Sequence, residues 1–183
     1  MNFGTTRTRL AAAVAAAVAT GALAVSASPA SATSSQGYFT GYGTTWTDDW
    51  SNEGTLSSSS YARSNATCLW QKILWAEGAT ESNGTAYDSA DIDGIFGSNT
   101  TYATKRLQTR WGLDDDGLVG PQTLSAADNK LRYSSGSTSS GTLTLTYDGI
   151  SHDFTMTRSD SNQYRFYQEG VWRLAGYNYR SCS

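Results

Sequence analysis

The chain has 183 residues, with thirteen Lys and Arg against sixteen Asp and Glu, a net charge of −3, and only 16% charged residues in all. So thin and acidic a charge pattern argues against nucleic acid and anionic lipid as partners, because both are held by dense positive patches. A surface rich in Ser, Thr, Gly, Tyr and Trp suits neutral hydrogen-bonding ligands such as sugars and peptides instead.

Residues 1–32 read as a secretory signal. Arg7 and Arg9 give a basic start, residues 10–25 are an almost pure run of Ala, Val and Leu, and Ala30-Ser31-Ala32 offers the small residues of a cleavage site. The run is short and mostly alanine, whereas a bilayer span needs about 20 predominantly apolar residues. The expected product is therefore secreted, extracellular or wall-associated, with no membrane partner after cleavage behind Ala32. Loss of Arg7 and Arg9 leaves eleven basic against sixteen acidic residues. Such a chain can bury one respectable core or two small ones. Two cysteines, Cys68 and Cys182, in an exported chain favour one disulfide. The chain-entropy model values so long a closed loop at roughly 4 to 5 kcal/mol.

Residues 33–60 carry Trp46 and Trp50 among Gly, Ser, Thr and Tyr, and end in Ser57-Ser58-Ser59-Ser60. They read as an extended arm and linker that can pair with a sheet edge. From Asn65 the period changes: Leu69, Trp70, Ile73 and Leu74 share one side of a helix that stops at Gly78. A polar loop follows over 82–90. Ser98 is placed to cap a second helix with Ala103, Leu107 and Trp111 at four-residue spacing and Gly112 as its stop. Pro121 opens a third, with Leu124, Ala127 and Leu131 as its stripe.

The Ser/Gly-rich segment 132–141 reads as a linker. Beyond it the period is two: Leu143, Leu145 and Tyr147 alternate with threonines, and Asp148-Gly149 suggests a type I′ hairpin into 150–156. A further strand pair fits 164–174, turning at Glu169-Gly170. The expected fold is α+β: helices over 61–131, then a small antiparallel β module over 142–183.

The most specific feature is an internal repeat. Asp93-Gly94-Ile95-Phe96-Gly97-Ser98-Asn99-Thr100 recurs as Asp116-Gly117-Leu118-Val119-Gly120-Pro121-Gln122-Thr123, and each copy precedes a helix. Asp-Gly makes a tight turn, the two apolar residues plug the core, and the second Gly lets the backbone swing into a helix start. The Thr hydroxyl falls in the first helical turn, among orphan backbone groups. Asp93, Gly94, Phe96, Gly97, Thr100, Asp116, Gly117, Gly120 and Thr123 thus read as structural.

Together with Trp70-Gln71, Leu74, Ala103, Leu107-Gln108 and Gly112-Leu113, the doubled turn resembles the peptidoglycan-binding-like domain of bacterial cell-wall hydrolases and of small secreted actinobacterial proteins. The likeness covers about residues 61–131. It implies a three-helix bundle, generally non-catalytic, that tethers a protein to peptidoglycan by sugar or stem peptide. Thr104 departs from the family's usual valine, and the 82–90 loop is enlarged. Residues off the apolar stripes are the candidate contacts: Gln71, Trp75, Tyr102, Arg106 and Arg110. An exposed indole stacks on a sugar face or a peptide methyl, and arginine pairs with a stem-peptide carboxylate. The bland alternatives are that Trp75 packs under the C-terminal sheet and that the arginines line a solvated helix face.

Catalytic chemistry is poorly provided for. Zinc catalysis needs about three protein ligands, and the chain has one histidine, His152. Asp88, Asp91 and Asp93 lack the downstream bidentate glutamate of a calcium loop. Ser151 and His152 are strand neighbours pointing to opposite faces, so they cannot form a nucleophile–base pair. A cysteine hydrolase using Cys68 and His152 is the remaining catalytic reading, and a disulfide to Cys182 would abolish its nucleophile. The sequence thus points to a non-enzymatic peptidoglycan binder with no cofactor or metal. The alternatives are a secreted interaction or inhibitor protein whose β module meets a protein partner, and the small cysteine hydrolase.

Overall fold

The stripe of Leu69, Trp70, Ile73 and Leu74 forms a helix, α1 (Asn65–Ala76), in the computed structural model, which describes residue 1 and residues 36–182. The expected signal segment, residues 1–32, lies outside the described residues apart from its first. Two more helices follow, α2 (Ser98–Trp111) and α3 (Pro121–Asp128), with a 3-10 turn at Ser89–Asp91 between α1 and α2. Then come β1 (Leu131–Ser135), β2 (Leu143–Asp148), β3 (Asp153–Arg158), β4 (Tyr164–Gln168) and β5 (Val171–Leu174), antiparallel and in sequence order across one sheet. The class is α+β. Among the described residues no helix is long and apolar enough to cross a membrane.

Helix α1 is buried on every side except at Trp75, where the sequence suggested a single apolar face. Its polar residues can be interior because each finds a partner. The Ser64 side chain accepts from the Thr67 N–H at 3.0 Å. The Asn65 and Ala66 N–H groups donate to the carbonyls of Tyr179 and Gly176, both at 2.8 Å. The C-terminal tail therefore satisfies donors that a helix start leaves open. The disulfide Cys68–Cys182 staples that tail to α1, with Cα atoms 6.5 Å apart.

Gly112 ends α2 in the left-handed conformation and Pro121 opens α3 at its first position. Ser98 is the first residue of α2 and makes no side-chain cap, for Gly97 takes the cap position. Leu131 is the first residue of β1 and not the end of α3, so a strand begins where a linker was expected. Its ladder with β2 supplies the backbone bonds, and only Leu131 in β1 is buried, so the serines need pack against nothing.

The β2–β3 connection also departs from the sequence reading. It is a four-residue loop, residues 149–152, and Gly149 is not left-handed as a type I′ turn requires. The glycine serves close approach: a Cβ there would lie 2.5 Å from the Ala76 carbonyl oxygen. The same carbonyl accepts from the Ser151 and His152 N–H groups at 2.9 and 3.0 Å, pinning the hairpin to the end of α1. The β4–β5 turn at Glu169-Gly170 has both φ angles positive, 52° and 79°, as type I′ demands.

One hydrophobic cluster joins the arm, the helices and the inner sheet face. Phe39, Trp50 and Leu56 of the arm are fully buried in it, beside Ile73, Leu107, Leu124, Leu145 and Phe166. The arm bridges to Gly176 through Tyr38, to Gln163 through Thr40 and to Val119 through Leu56.

Three buried carboxylates fix the arm in place. Asp49 pairs with Arg158 at 2.7 Å and accepts from the Tyr164 hydroxyl at 2.5 Å. Glu53 accepts from the Thr40 N–H at 2.6 Å and the Tyr177 hydroxyl at 2.7 Å. Asp128, at the end of α3, accepts from the Trp50 N–H at 2.8 Å, while its other oxygen is buried without a partner. Burial pushes all three up, Glu53 and Asp128 to about 7, with the neighbouring Asp49 charge raising both further. At the centre, the buried Glu77 carboxylate meets Arg110 at 3.1 Å, Lys130 at 3.4 Å and the Tyr147 hydroxyl at 3.1 Å, tying α1 to α2, β1's approach and β2.

Candidate functional site

The internal repeat is a repeat of three-dimensional structure, and its missing member is a glutamine. Gln71 Oε1 accepts from the Gly94 N–H at 2.6 Å, and its Nε2 donates to Asp93 Oδ1 at 2.8 Å, the Ile95 carbonyl at 3.1 Å and Thr100 Oγ1 at 3.2 Å. Gln108 does the same one copy later. It accepts from the Gly117 N–H at 2.9 Å and donates to Asp116 Oδ1 at 2.9 Å, the Leu118 carbonyl at 2.9 Å and Thr123 Oγ1 at 3.0 Å. Each Asp also accepts from the N–H two residues on, at 2.8 Å in both copies. A helix glutamine thus locks each Asp-Gly-x-x-Gly-x-x-Thr turn onto the preceding helix.

Gln71, expected as a ligand contact, is 1% exposed and has both ends of its amide engaged in that lock. The sequence carried the signal, since Gln71 and Gln108 occupy the same place relative to Trp70 and Leu107.

The two copies differ in what covers them. Over the first, Arg180 of the tail donates to the Asp93 carbonyl at 2.7 Å, and a Cβ on Gly94 would lie 2.7 Å from the sulfurs of Cys68 and Cys182. Gly94 is also left-handed, with φ of 72°. The disulfide and tail seal this turn. The second copy lacks the tail and disulfide: Gly117 lies under Thr101 and Lys105 of α2, while Asp116 and Leu118 are exposed and border an open cleft of about 470 Å3. Its walls are Thr55 of the arm, Leu113, Asp114, Leu118, Pro121 and Gln122. The lining thus sets apolar Leu113, Leu118 and Pro121 beside carboxylate, amide and hydroxyl groups.

The remaining candidate contacts fall elsewhere. Trp75 is half-buried, stacked on His152 with centroids 4.2 Å apart and planes at 4°. Lys72 Nζ lies 4.8 Å from the Trp75 centroid and donates to Gln168 at 2.8 Å, and burial pushes it down to about 8. Trp75 thus packs against the β2–β3 hairpin. Tyr102 is 39% exposed on α2. Arg106 and Arg110 together border a second cleft of about 280 Å3 with Gly78, Ala79, Thr80 and Thr109. Arg110 is already engaged by the carboxylate and carbonyl of Glu77, at 3.1 and 2.7 Å. Cys68 has no thiol to offer, being bonded to Cys182. No group of three metal-ligating side chains occurs among the described residues.

Comparison with known proteins gives this geometry its context. A family model described as "Putative peptidoglycan binding domain" matches residues 71–127. A protein of Kitasatospora aureofaciens, described as an uncharacterized protein in bpoA1 3'region, is 46% identical over 46 residues, which is 25% of this chain and 39% of the relative. No solved structure matches. The segment that resembles the peptidoglycan binding domain runs from one locking glutamine, through both Asp-Gly turns, to the last buried alanine of α3.

Proposed function

We propose that the protein is a secreted, non-catalytic peptidoglycan binder whose recognition unit spans residues 61–131, with α1, α2 and α3 acting as the family's three-helix bundle. The observation that carries this reading is the asymmetry of the doubled turn. The first copy is sealed by the tail and disulfide, while the second opens onto a cleft of about 470 Å3. The ligand we assign to the cleft is the stem peptide. Its alanine methyls meet Leu113, Leu118 and Pro121, and its free amine meets Asp114, which is exposed and belongs to neither lock. Arg106, beside the second cleft, is the further contact for a stem-peptide carboxylate. The sheet is an accessory module on this reading, and the disulfide at Cys68 removes the nucleophile a cysteine hydrolase would need.

Sedimentation with purified insoluble peptidoglycan tests the proposal. The wild-type chain is expected in the pellet and to be released by soluble stem peptide. The double variant Asp114→Asn, Gln122→Ala is expected to bind about tenfold more weakly, as losing a charged contact of about 1.5 kcal/mol implies. Equal retention of wild type and double variant would move the site away from this cleft, and no wild-type retention would end the proposal. A turbidity assay on the same wall preparation should show no lysis above a blank.

A further inference from the structure

The face of the sheet turned away from the core has a composition that the helical unit does not account for. Strand alternation sends Leu143, Leu145, Tyr147, Phe154, Met156, Tyr164 and Phe166 inward, where all are buried. The other set faces solvent. Thr144 lies opposite Thr157 and Thr146 opposite Thr155, so four threonines form a block across β2 and β3. Thr157 in turn lies opposite Arg165, and Tyr167 opposite Trp172.

Threonine on a solvent-facing strand is ordinary. Two large aromatic rings beside it are not. Tyr167 and Trp172 are 44% and 43% exposed, with centroids 5.4 Å apart at 61°. Trp172 borders a cleft of about 330 Å3 with Thr142, Thr157, Ser159 and Arg165. At Ser159 that cleft adjoins another, of about 210 Å3, bordered by the 137–141 loop, Asp160 and Asn162. The result is a trough that starts at an indole, passes a guanidinium and continues along hydroxyl and amide groups.

We propose that this trough is a second binding site, separate from the stem-peptide cleft, and that its ligand is a glycan chain. A sugar ring has an apolar C–H face and a polar rim. The exposed indole of Trp172 meets the first, and Thr and Ser hydroxyls, which both donate and accept, meet the second. Arg165 forms no ion pair with the described residues, so its donors are open to sugar oxygens. Nucleic acid and anionic lipid need several cations, and this face presents two arginines, Arg132 already paired with Asp148 and Arg165, on a chain of net charge −3. The length of the trough, two adjoining clefts sharing Ser159, suits a polymer over a single sugar. With stem peptide at one site and glycan at the other, one molecule engages both chemistries of the wall, and the two contacts reinforce each other by effective concentration.

The full chain should sediment with insoluble glycan strands from which an amidase has removed every stem peptide. Trp172→Ala is expected to weaken that retention about tenfold, while soluble stem-peptide binding at the other cleft stays unchanged. The double variant Thr142→Val, Thr157→Val keeps the β-branched shape and removes two hydroxyls from the cleft. It is expected to lower glycan retention severalfold at an unchanged melting temperature, which a purely structural role for these threonines would not produce. Absence of wild-type retention on peptide-free strands would overturn this site and leave the stem-peptide cleft standing. Retention unaffected by both variants would overturn it too. Failure of the cleft proposal reads differently, as loss of stem-peptide binding with glycan retention intact.

Discussion

Raising the pH from about 4 to about 8 is expected to weaken the fold, the reverse of ordinary acid denaturation. Glu53 and Asp128 sit at about 7 in the folded chain against ordinary values of 4.5 and 3.8, because burial disfavours their charged forms. With the folded-state value above the unfolded one, the folded chain holds a proton that the unfolded chain releases. The stabilising contribution is complete below about pH 4 and is lost as pH climbs through 7. Each group alone accounts for about 3 to 4 kcal/mol across that window, at about 1.4 kcal/mol per pH unit of displacement. The two together give less than the sum, because both also feel the Asp49 charge. Urea denaturation at intervals between pH 4.5 and 8 measures the effect. Glu53→Gln keeps an uncharged acceptor for the Thr40 N–H and reverses the Tyr177 contact, its amide N–H donating to the hydroxyl oxygen, and Asp128→Asn keeps an uncharged acceptor for the Trp50 N–H. Both variants should flatten the slope. A stability that is level or rising through this window in the wild type would refute the account of the buried arm contacts.

Gln71→Ala is expected to cost about 3 to 5 kcal/mol of stability and Gln108→Ala clearly less. Alanine at position 71 opens a cavity and strands the Gly94 N–H beneath the disulfide and the tail, and it leaves the Ile95 carbonyl and the Thr100 hydroxyl only their contacts with each other and with the Tyr87 hydroxyl. Each buried group left without a partner costs about 1 to 3 kcal/mol. At position 108 the Gly117 N–H is stranded likewise and the Thr123 hydroxyl keeps the Leu118 carbonyl, but Leu118 and Asp116 are exposed, so water replaces part of what is lost. Equilibrium unfolding of the two variants gives the comparison. Equal costs would mean that the sealed and open turns are not energetically distinct. A Gln71→Ala chain as stable as wild type would mean that the glutamine lock is not what holds the turn.

Much of the helical half was legible in the sequence because its signals are local. Pro121 opening α3 and Gly112 closing α2 depend on backbone preferences of one or two residues. The doubled Asp-Gly turn was visible as a string, and with it the likeness to peptidoglycan-binding domains. Its locking glutamines were visible too, but a polar residue on a helix reads as a surface group unless its burial is known. Gln71 is such a residue: polar on a helix, it reads as a ligand contact, and it is 1% exposed. Thr104, a departure from the family's valine, has a similar explanation: its hydroxyl accepts from the Trp70 indole at 2.8 Å and donates to the Thr100 carbonyl at 2.7 Å, a need that only the α1–α2 contact creates.

The sheet shows the opposite balance. Alternation placed β2 and β3, and Glu169-Gly170 marked a true type I′ turn, yet Asp148-Gly149 gave the same signal for a four-residue loop. The difference is the nearby Ala76 carbonyl, which excludes a side chain at residue 149 and draws two N–H groups of the loop onto itself. Strand β1 was hidden because its bonds come from β2 and its serines carry no period.

The sequence by itself determined the local elements, the α+β order, the cysteine pair and the resemblance to peptidoglycan-binding domains, because each is encoded in neighbouring residues or in composition. Only the tertiary structure decided that the arm is core, that α1 is buried on nearly all sides, and that one Asp-Gly turn is sealed while its twin is open. Those outcomes depend on which distant segments meet. The tail that closes the first turn lies some ninety residues beyond it, joined by a disulfide whose partners are 114 residues apart.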